Sequence, residues 1–158
     1  MLPILEKTTI LKQNVSTAVL SGNPKALSLP FIANAEQNYL EEKLLKGTDW
    51  TIYKQPQVYF FHKPKEDKTH GIQNEAARQA GSKCYDVLKN EKVTSLQIIG
   101  NVSGKLTLSF LEGLLLSAYS FLKYKKEKDG FMPAKIFVTD ENVSQEQLDE
   151  LRNLTLAV

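Results

Sequence analysis

The longest apolar run in the chain covers residues 104–124, with the sequence GKLTLSFLEGLLLSAYSFLKY. On a helix at about 100 degrees per residue, its small and polar side chains gather in an arc of roughly 140 degrees. They are Ser109, Glu112, Gly113, Ser117, Ser120 and Lys123, and Leu116 interrupts them. Because the apolar side is the wider one, we expect a helix over 106–123 that a sheet covers on one side and another element or a partner covers on the other.

A membrane span is the alternative interpretation of this run. Crossing a bilayer takes about 20 predominantly apolar residues with few charges. The run contains Glu112 and several serines, and it ends at Lys123 with Lys125 and Lys126 directly behind it. We therefore expect a buried helix and no membrane partner.

Length, charge and cysteine content narrow the class of protein. The 158 residues predict one domain, 1–158. The formal net charge of +2 is too small to demand a nucleic-acid or membrane partner. Cys84 is the only cysteine, which excludes an internal disulfide and a metal site built from several thiolates. The N-terminus has no basic segment followed by an apolar run, so we expect a cytoplasmic protein.

The periodicity of the remaining chain predicts strands and helices in alternation. Strands are expected at 8–11, 17–20, 51–54, 57–62, 95–99 and 135–138, and helices at 35–46, 71–89, 106–123 and 144–158. The first two strands are expected to pair as an opening hairpin, and Gly47 is expected to end the first helix as a left-handed cap. The resulting fold class is α/β, with three layers and a mixed, mostly parallel sheet between helices on both faces.

The last predicted helix has a defined start and no defined end. Ser144 and Gln147 have the spacing of a capping box, and Leu148, Leu151, Leu154 and Ala157 follow at helical spacing. The apolar pattern still continues at Val158. We therefore expect that the helix over 144–158 leads toward a further domain.

The segment Gly100-Asn101-Val102-Ser103-Gly104 is the candidate ligand site. It joins a predicted strand to the central helix, where backbone amides can surround a phosphate. It does not match the P-loop pattern or the dinucleotide-binding pattern. The structural interpretation is a tight turn that needs two permissive glycines. Gly100, Asn101, Ser103 and Gly104 are accordingly weak candidates for binding a ligand or cofactor.

No other residues form a convincing catalytic or metal-binding set. His62 and His70 flank a charged loop without a carboxylate at helical spacing, and we interpret both as loop or surface residues. Asp140-Glu141 is interpreted as a turn that places favourable charge before a helix. Cys84 falls on the apolar face of its helix, which indicates a buried, unreactive thiol. We predict no catalytic residue and no metal ligand in this chain.

Lysines cluster directly after the central helix. Lys123, Lys125, Lys126 and Lys128 surround Tyr124, a composition that can contact nucleic-acid phosphates. Glu127 and Asp129 dilute the positive charge, and cations also favour the C-terminal end of a helix dipole. We interpret the cluster as a solvated helix end and keep DNA contact as an alternative.

The segment EGLLLSAYSFLKYK resembles the end of the N-terminal domain of the leucine aminopeptidase (cytosol aminopeptidase) family. That family carries an E-G-x-x-L-x-x-Y-x-F-x-x-Y-K pattern on a helix that precedes a strand and a long helix into the metallopeptidase domain. The matching positions are Glu112, Gly113, Leu116, Tyr119, Phe121, Tyr124 and Lys125, with 135–138 as the strand and 144–158 as the long helix.

The resemblance implies a macro-domain-like accessory domain that has been separated from its catalytic partner. It implies contacts with the C-terminal catalytic domain and a place in a homo-hexamer, with two divalent ions, zinc or manganese, in the missing domain. The hallmark N-T-D-A-E-G-R segment is absent, so no catalytic residue is carried over. The predicted function is an accessory or assembly domain of a leucyl-type metalloaminopeptidase. The alternatives are a macro-like module that binds a nucleotide or ADP-ribose, and a domain that contacts DNA.

Overall fold

A computed structural model describes residues 3–24, 27, 29–124 and 133–157, and at 120–124 it describes the backbone alone. The strands are β1 (Ile4–Lys7), β2 (Ser16–Ser21), β3 (Asp49–Lys54), β4 (Gln57–His62), β5 (Ser95–Asn101) and β6 (Lys135–Thr139). The helices are α1 (Asn34–Lys46), α2 (His70–Asn90), α3 (Gly104–Tyr124) and α4 (Gln145–Leu156).

The six strands form one mixed sheet in the order β1-β6-β5-β2-β4-β3. Every neighbouring pair is parallel except β3 and β4, which are antiparallel and joined by Gln55-Pro56. In the centre, β2 is buried along its whole length, and five of the six residues of β4 are buried. Continuous apolar burial is typical of strands that are covered on both faces.

Helices cover both faces of this sheet. Side chains of α2, α3 and α4 share one apolar cluster with alternate residues of the strands, such as Leu20, Phe60 and Ile98. On the opposite face, α1 packs with Leu40 and Leu44 against Val19, Tyr59 and Phe61. The predicted three-layer α/β architecture, with a mixed and mostly parallel sheet, is confirmed.

The small and polar arc of α3 faces α2. The hydroxyl groups of Ser82 and Ser117 form a hydrogen bond with an O–O distance of 2.7 Å. Arg78 Nε donates to Glu112 Oε1 at 3.2 Å. Gly113 brings the backbones together, because a Cβ atom there would lie 1.9 Å from the Arg78 carbonyl oxygen. The expectation of a helix that is covered by a sheet on one side and by another element on the other is confirmed.

The prediction for the start of the chain is wrong in two respects. The first strand is Ile4–Lys7 and not residues 8–11, which lie outside any strand. It does not pair with β2, because it lies at the far edge of the sheet, parallel to β6. The β-branched residues at 8–10 mimic a strand locally, but Gln97 holds the segment behind them as a loop through its side-chain bonds with the backbone of Lys12.

Gly47 does not end α1 in the predicted left-handed conformation. Its φ is −146° and its ψ is 176°, which is extended backbone, and its N–H donates to the Lys43 carbonyl. The chain turns directly from this residue into β3. The extended end is therefore set by the entry into the next strand and not by a helix cap.

Replacing Ser144 by alanine is expected to cost about 1 kcal/mol of stability. The predicted capping box at α4 is present, since Ser144 Oγ accepts from the Gln147 N–H at 3.1 Å and Gln147 Oε1 accepts from the Ser144 N–H at 3.0 Å. Urea unfolding measures the loss. Ser144→Asp keeps an acceptor at the cap, so a similar loss in that variant would contradict the assignment.

Within the described residues, no helix combines the length and the apolar character needed to cross a bilayer.

Candidate functional site

A crevice of about 460 Å³ opens at the carboxyl ends of the central strands β2, β4 and β5. The chain leaves β2 toward α1 on one face and leaves β4 and β5 toward α2 and α3 on the other. Ligands of open α/β sheets bind where neighbouring strands send their connections to opposite faces. The crevice is lined by Gly22, Pro64, Glu66, His70, Gly71, Gln73, Asn74, Asn101, Val102, Ser103, Lys105 and Leu106.

Two long helices begin at this crevice. The Thr69 hydroxyl caps α2 by accepting from the Ile72 N–H at 3.3 Å, and the Ser103 hydroxyl accepts from the Leu106 N–H at 3.3 Å in the first turn of α3. Helix N-termini carry partial positive charge and favour anions. Lys105 and His70 add basic groups, whereas Glu66 adds a carboxylate on the same wall. The crevice therefore suits a ligand with both an anionic part and hydrogen-bond donors.

Hydrogen bonds connect the loop between β5 and α3, and the first turn of α3, to the loop between β6 and α4. Asp140 is buried, and its carboxylate accepts from Thr107 Oγ1 at 2.6 Å and from the Asn142 N–H at 2.8 Å. Asn142 Nδ2 in turn donates to the Val102 carbonyl at 3.0 Å. We call Thr107, Asp140 and Asn142 the carboxylate clasp. It fixes the wall of the crevice to the core of the sheet.

The four candidate residues of the segment 100–104 divide into two pairs. Asn101 and Ser103 line the crevice, whereas Gly100 and Gly104 are not among its lining residues. Gly100 lies inside β5, and a Cβ atom there would lie 2.3 Å from Asp140 Oδ2; at Gly104 it would lie 2.4 Å from the Asn142 carbonyl oxygen. Neither glycine has a positive φ. Glycine is therefore needed at both positions because Asp140 and Asn142 of the carboxylate clasp lie too close for a side chain. A left-handed turn conformation is not the reason.

Half of the residues that line the crevice lie between positions 64 and 74, none of which was a candidate site residue. Pro64 and Glu66 belong to the charged stretch between β4 and α2, which we interpreted only as a loop, and His70 is the first residue of α2. Asn74 follows one turn into that helix. The available signal was positional: this stretch follows a buried parallel strand, as the segment 100–104 does, so both must end at the same edge of the sheet.

His62 is neither a loop nor a surface residue, so that interpretation is wrong. Its side chain is fully buried at the end of β4, and its Nδ1 lies 2.6 Å from Asp49 Oδ1. The carboxylate comes from the adjacent antiparallel strand, where Asp49 is directly opposite His62. Lys83 of α2 lies 3.2 Å from the other carboxylate oxygen. The partner was missed because it lies across a strand pair and not at helical spacing.

Replacing Asp49 by asparagine is expected to remove part of the acid sensitivity of folding. Burial alone would raise the pKa of Asp49, but the hydrogen bonds and charges of His62 and Lys83 outweigh it and lower the pKa below its ordinary value. A lowered pKa stabilises the fold at neutral pH, and this contribution disappears as pH falls through the folded-state pKa. Urea unfolding should separate wild type and Asp49→Asn at pH 7, and the gap should close below about pH 4.

The exposed carboxylate of Asp86 on α2 supplies the matched control for that experiment. Asp86→Asn removes one carboxylate from the surface of the same helix and controls for the loss of a single negative charge. A gap between wild type and Asp49→Asn that stays constant from neutral to acidic pH would contradict the assignment.

Cys84 is fully buried, as predicted. Burial raises the pKa of its thiol, and the nearby negative charge of Asp49 raises it further, so the reactive thiolate form is disfavoured.

Most of the basic cluster after α3 lies outside the described residues. This holds for Lys125, Lys126 and Lys128, and for the side chains of Lys123 and Tyr124.

Comparison of the sequence with known proteins identifies no relative. No known protein family matches the chain, and no curated protein sequence matches it.

Comparison of the structure finds similar folds at low sequence identity. A mutant of leucine aminopeptidase from tomato superposes with a TM-score of 0.62 and 9% identity over 96% of this chain and 36% of the aminopeptidase chain. The Oceanobacillus iheyensis macrodomain with MES bound gives 0.61 and 14% identity over 98% of this chain and 92% of the macrodomain. A mutant of the same macrodomain gives 0.60 and 13% identity over 98% and 93%. The fold is macro-domain-like, and the chain spans about a third of the aminopeptidase.

Proposed function

We propose that this chain is the non-catalytic N-terminal domain of a metal-dependent, leucyl-type aminopeptidase. The parent enzyme would remove N-terminal residues from peptides, and this domain would supply contacts to the catalytic domain and within a homo-oligomer. The observation that carries the proposal is the sequence motif that resembles leucine aminopeptidases, and the similarity of the fold to part of the tomato enzyme supports it. Residues 112–124 of that segment lie in α3.

The contacts of the motif residues support an architectural role for that segment. Glu112 pairs with Arg78, and Gly113 permits the backbone contact with α2. Both residues therefore serve the packing of the domain itself. A motif of this kind can persist in an accessory domain that performs no chemistry, because the fold requires it.

Metal chemistry is proposed for the parent and not for this chain. In such enzymes, two divalent ions activate the attacking water and stabilise the charge that develops on the peptide carbonyl. The described residues bring together no group of three or more His, Cys, Asp or Glu side chains with the geometry to hold a metal. The buried carboxylate of Asp140 is occupied by Thr107 and Asn142. We assign none of these residues as a metal ligand.

The test is to identify the native gene product and its activity together. An antibody raised against this chain should detect, in extracts of the source cells, a protein much longer than 158 residues, and leucine aminopeptidase activity should copurify with it. The isolated chain should hydrolyse no leucine p-nitroanilide with added zinc or manganese. Detection of a product of this chain's own length, or activity from the isolated chain, would overturn the proposal.

The crevice at the starts of α2 and α3 favours a second candidate function, which is recognition of a nucleotide or of ADP-ribose. Its support is the meeting of two helix N-termini at one edge of the sheet, with Asn101, Ser103 and Lys105 on the wall. The macrodomains that superpose on the chain do so over nearly their whole length. A diphosphate would face the helix N-termini, and the neutral polar side chains would bind the ribose or base.

Calorimetry with ADP-ribose tests this second candidate directly. We expect binding by wild type, and at least tenfold weaker binding by Lys105→Glu, since a carboxylate would then face the anionic part of the ligand (about 1.4 kcal/mol corresponds to tenfold). Lys46→Glu, a charge reversal at the end of α1, is the control and should bind like wild type. Absence of heat at millimolar ligand would exclude this function.

A further inference from the structure

The two edges of the sheet differ in how they are protected. At one edge, β1 has four residues and is preceded by Pro3. At the other edge, β3 has six residues, contains no proline, glycine or bulge, and pairs along its whole length with β4. Natural proteins protect exposed edges with short strands, prolines, bulges or charges, because unpaired backbone groups bind other strands. The β3 edge carries two charged residues, Asp49 and Lys54, but both are held in ion pairs within the chain, with Lys83 and Glu36. None of the other protections is present along β3.

The backbone groups that β3 presents outward can be identified from the ladder. The Lys63 N–H donates to the Thr48 carbonyl at 2.7 Å, which makes positions 48 and 63 a hydrogen-bonded pair. Because such pairs alternate along antiparallel strands, residues 50, 52 and 54 bond to β4, and Asp49, Thr51 and Tyr53 turn their N–H and C=O groups away from it. Among the described residues, no hydrogen bond reaches these outward groups.

We propose that β3 pairs with β3 of a second copy of this chain, antiparallel and about a two-fold axis at Thr51. This register brings all three outward-facing residues into hydrogen-bonded pairs, with Thr51 opposite itself and Asp49 opposite Tyr53 of the second copy. It extends the sheet from six strands to twelve and closes after two copies, because the interface is its own complement. The proposal does not depend on the peptidase assignment.

The side chains of β3 are complementary in this register. On the α1 face, Trp50 of each copy lies opposite Ile52 of the other, an aromatic and β-branched pair that stabilises neighbouring strands. On the other face, the Asp49 carboxylate lies opposite the Tyr53 phenol, which is a hydrogen-bond donor, and more than half of the Tyr53 side chain is exposed in the single chain. No like charges face each other across the axis.

Aromatic side chains beside the edge add contact area. Tyr39 of α1 meets Trp50 edge to face at a centroid distance of 6.0 Å, and Lys43 lies 5.0 Å from the Trp50 ring centroid. Tyr39 and Trp50 therefore form a preordered surface next to the strand. Tryptophan and tyrosine are enriched at the centres of protein interfaces, and ordering them in advance lowers the entropic cost of association.

Cysteine crosslinking tests the register. In a hydrogen-bonded pair the two Cα atoms at position 51 lie about 5.5 Å apart, within the range of a disulfide. The position-53 residues of the two copies would lie roughly 14 Å apart, since each is opposite position 49. Oxidation should therefore give about fivefold or more covalent dimer for Thr51→Cys than for Tyr53→Cys, which controls for random collision. Cys84 is buried and should not react.

Association of the unmodified chain provides the second measurement. Light scattering across the micromolar range should show a monomer–dimer equilibrium. Thr51→Pro removes both hydrogen bonds donated at the axis, while the inward bonds to β4 remain, so its dissociation constant should rise at least about tenfold. Ile4→Lys at the β1 edge is the control and should dimerise normally. A wild-type chain that is monomeric throughout, open-ended association, or equal crosslinking of the two cysteine variants would overturn the proposal.

Discussion

Gly113→Ala is expected to destabilise the chain by about 3 kcal/mol or more, the largest effect among the substitutions considered. The added methyl group would lie 1.9 Å from the carbonyl oxygen of Arg78, and a backbone atom inside a helix cannot move aside as a flexible side chain can. The two helices would have to separate. That movement would also disturb the Ser82–Ser117 hydrogen bond and the apolar cluster under α3. Thermal and urea unfolding measure the loss.

A second glycine-to-alanine change provides the matched control. Gly71 lies in the first turn of α2, and a Cβ atom there would meet nothing within 4 Å. Alanine loses less backbone entropy on folding than glycine, so Gly71→Ala should leave stability unchanged or raise it by up to about 1 kcal/mol. Equal effects of the two substitutions would contradict the conclusion that Gly113 is needed for the close packing of α3 against α2.

Asp140→Ala is expected to cost about 2 to 4 kcal/mol, the second largest effect. The substitution leaves the buried Thr107 hydroxyl and the partly buried Asn142 N–H without their acceptor. Because this carboxylate clasp also fixes the segment 101–104, the crevice wall should loosen with it. Hydrogen exchange of the amides at 102–107 should quicken more than exchange elsewhere in α3.

The neighbouring exposed carboxylate offers the control for that prediction. Glu141→Ala should change stability by less than about 0.5 kcal/mol, as surface substitutions usually do. A double-mutant cycle between Asp140→Ala and Thr107→Val should show coupling, since the two side chains share one hydrogen bond of 2.6 Å. Additive effects would contradict the assigned contact.

Features that depend on local pattern were predictable from the sequence. The central helix, the buried β4 strand and the capping box of α4 each carry their signal within a single helix, strand or cap. The layer architecture followed from the alternation of helices and strands in the second half of the chain. The family resemblance pointed to the macro-domain-like fold that the structural comparison then supported.

Features that depend on distant partners were not predictable in the same way. The first strand was misplaced because residues 4–7 are defined by their pairing with β6 near the other end of the sequence. His62 was misinterpreted because its carboxylate partner lies on a neighbouring strand. The wall formed by Pro64, Glu66 and His70 was missed because these residues match no binding motif, and the buried strand before them was the one indication of their place in the fold.

The position of β1 beside β6 also constrains how the chain reaches its native state. β1 precedes β2 to β5 in the sequence, yet its neighbour in the sheet is β6, the last of the six described strands. Until β6 is present, Leu5 of β1 cannot be buried in the core, and Gln145 of α4 cannot donate its hydrogen bond to the Leu5 carbonyl. Such a late, long-range pairing slows folding, and β1 should stay unpaired during translation until β6 has been synthesised.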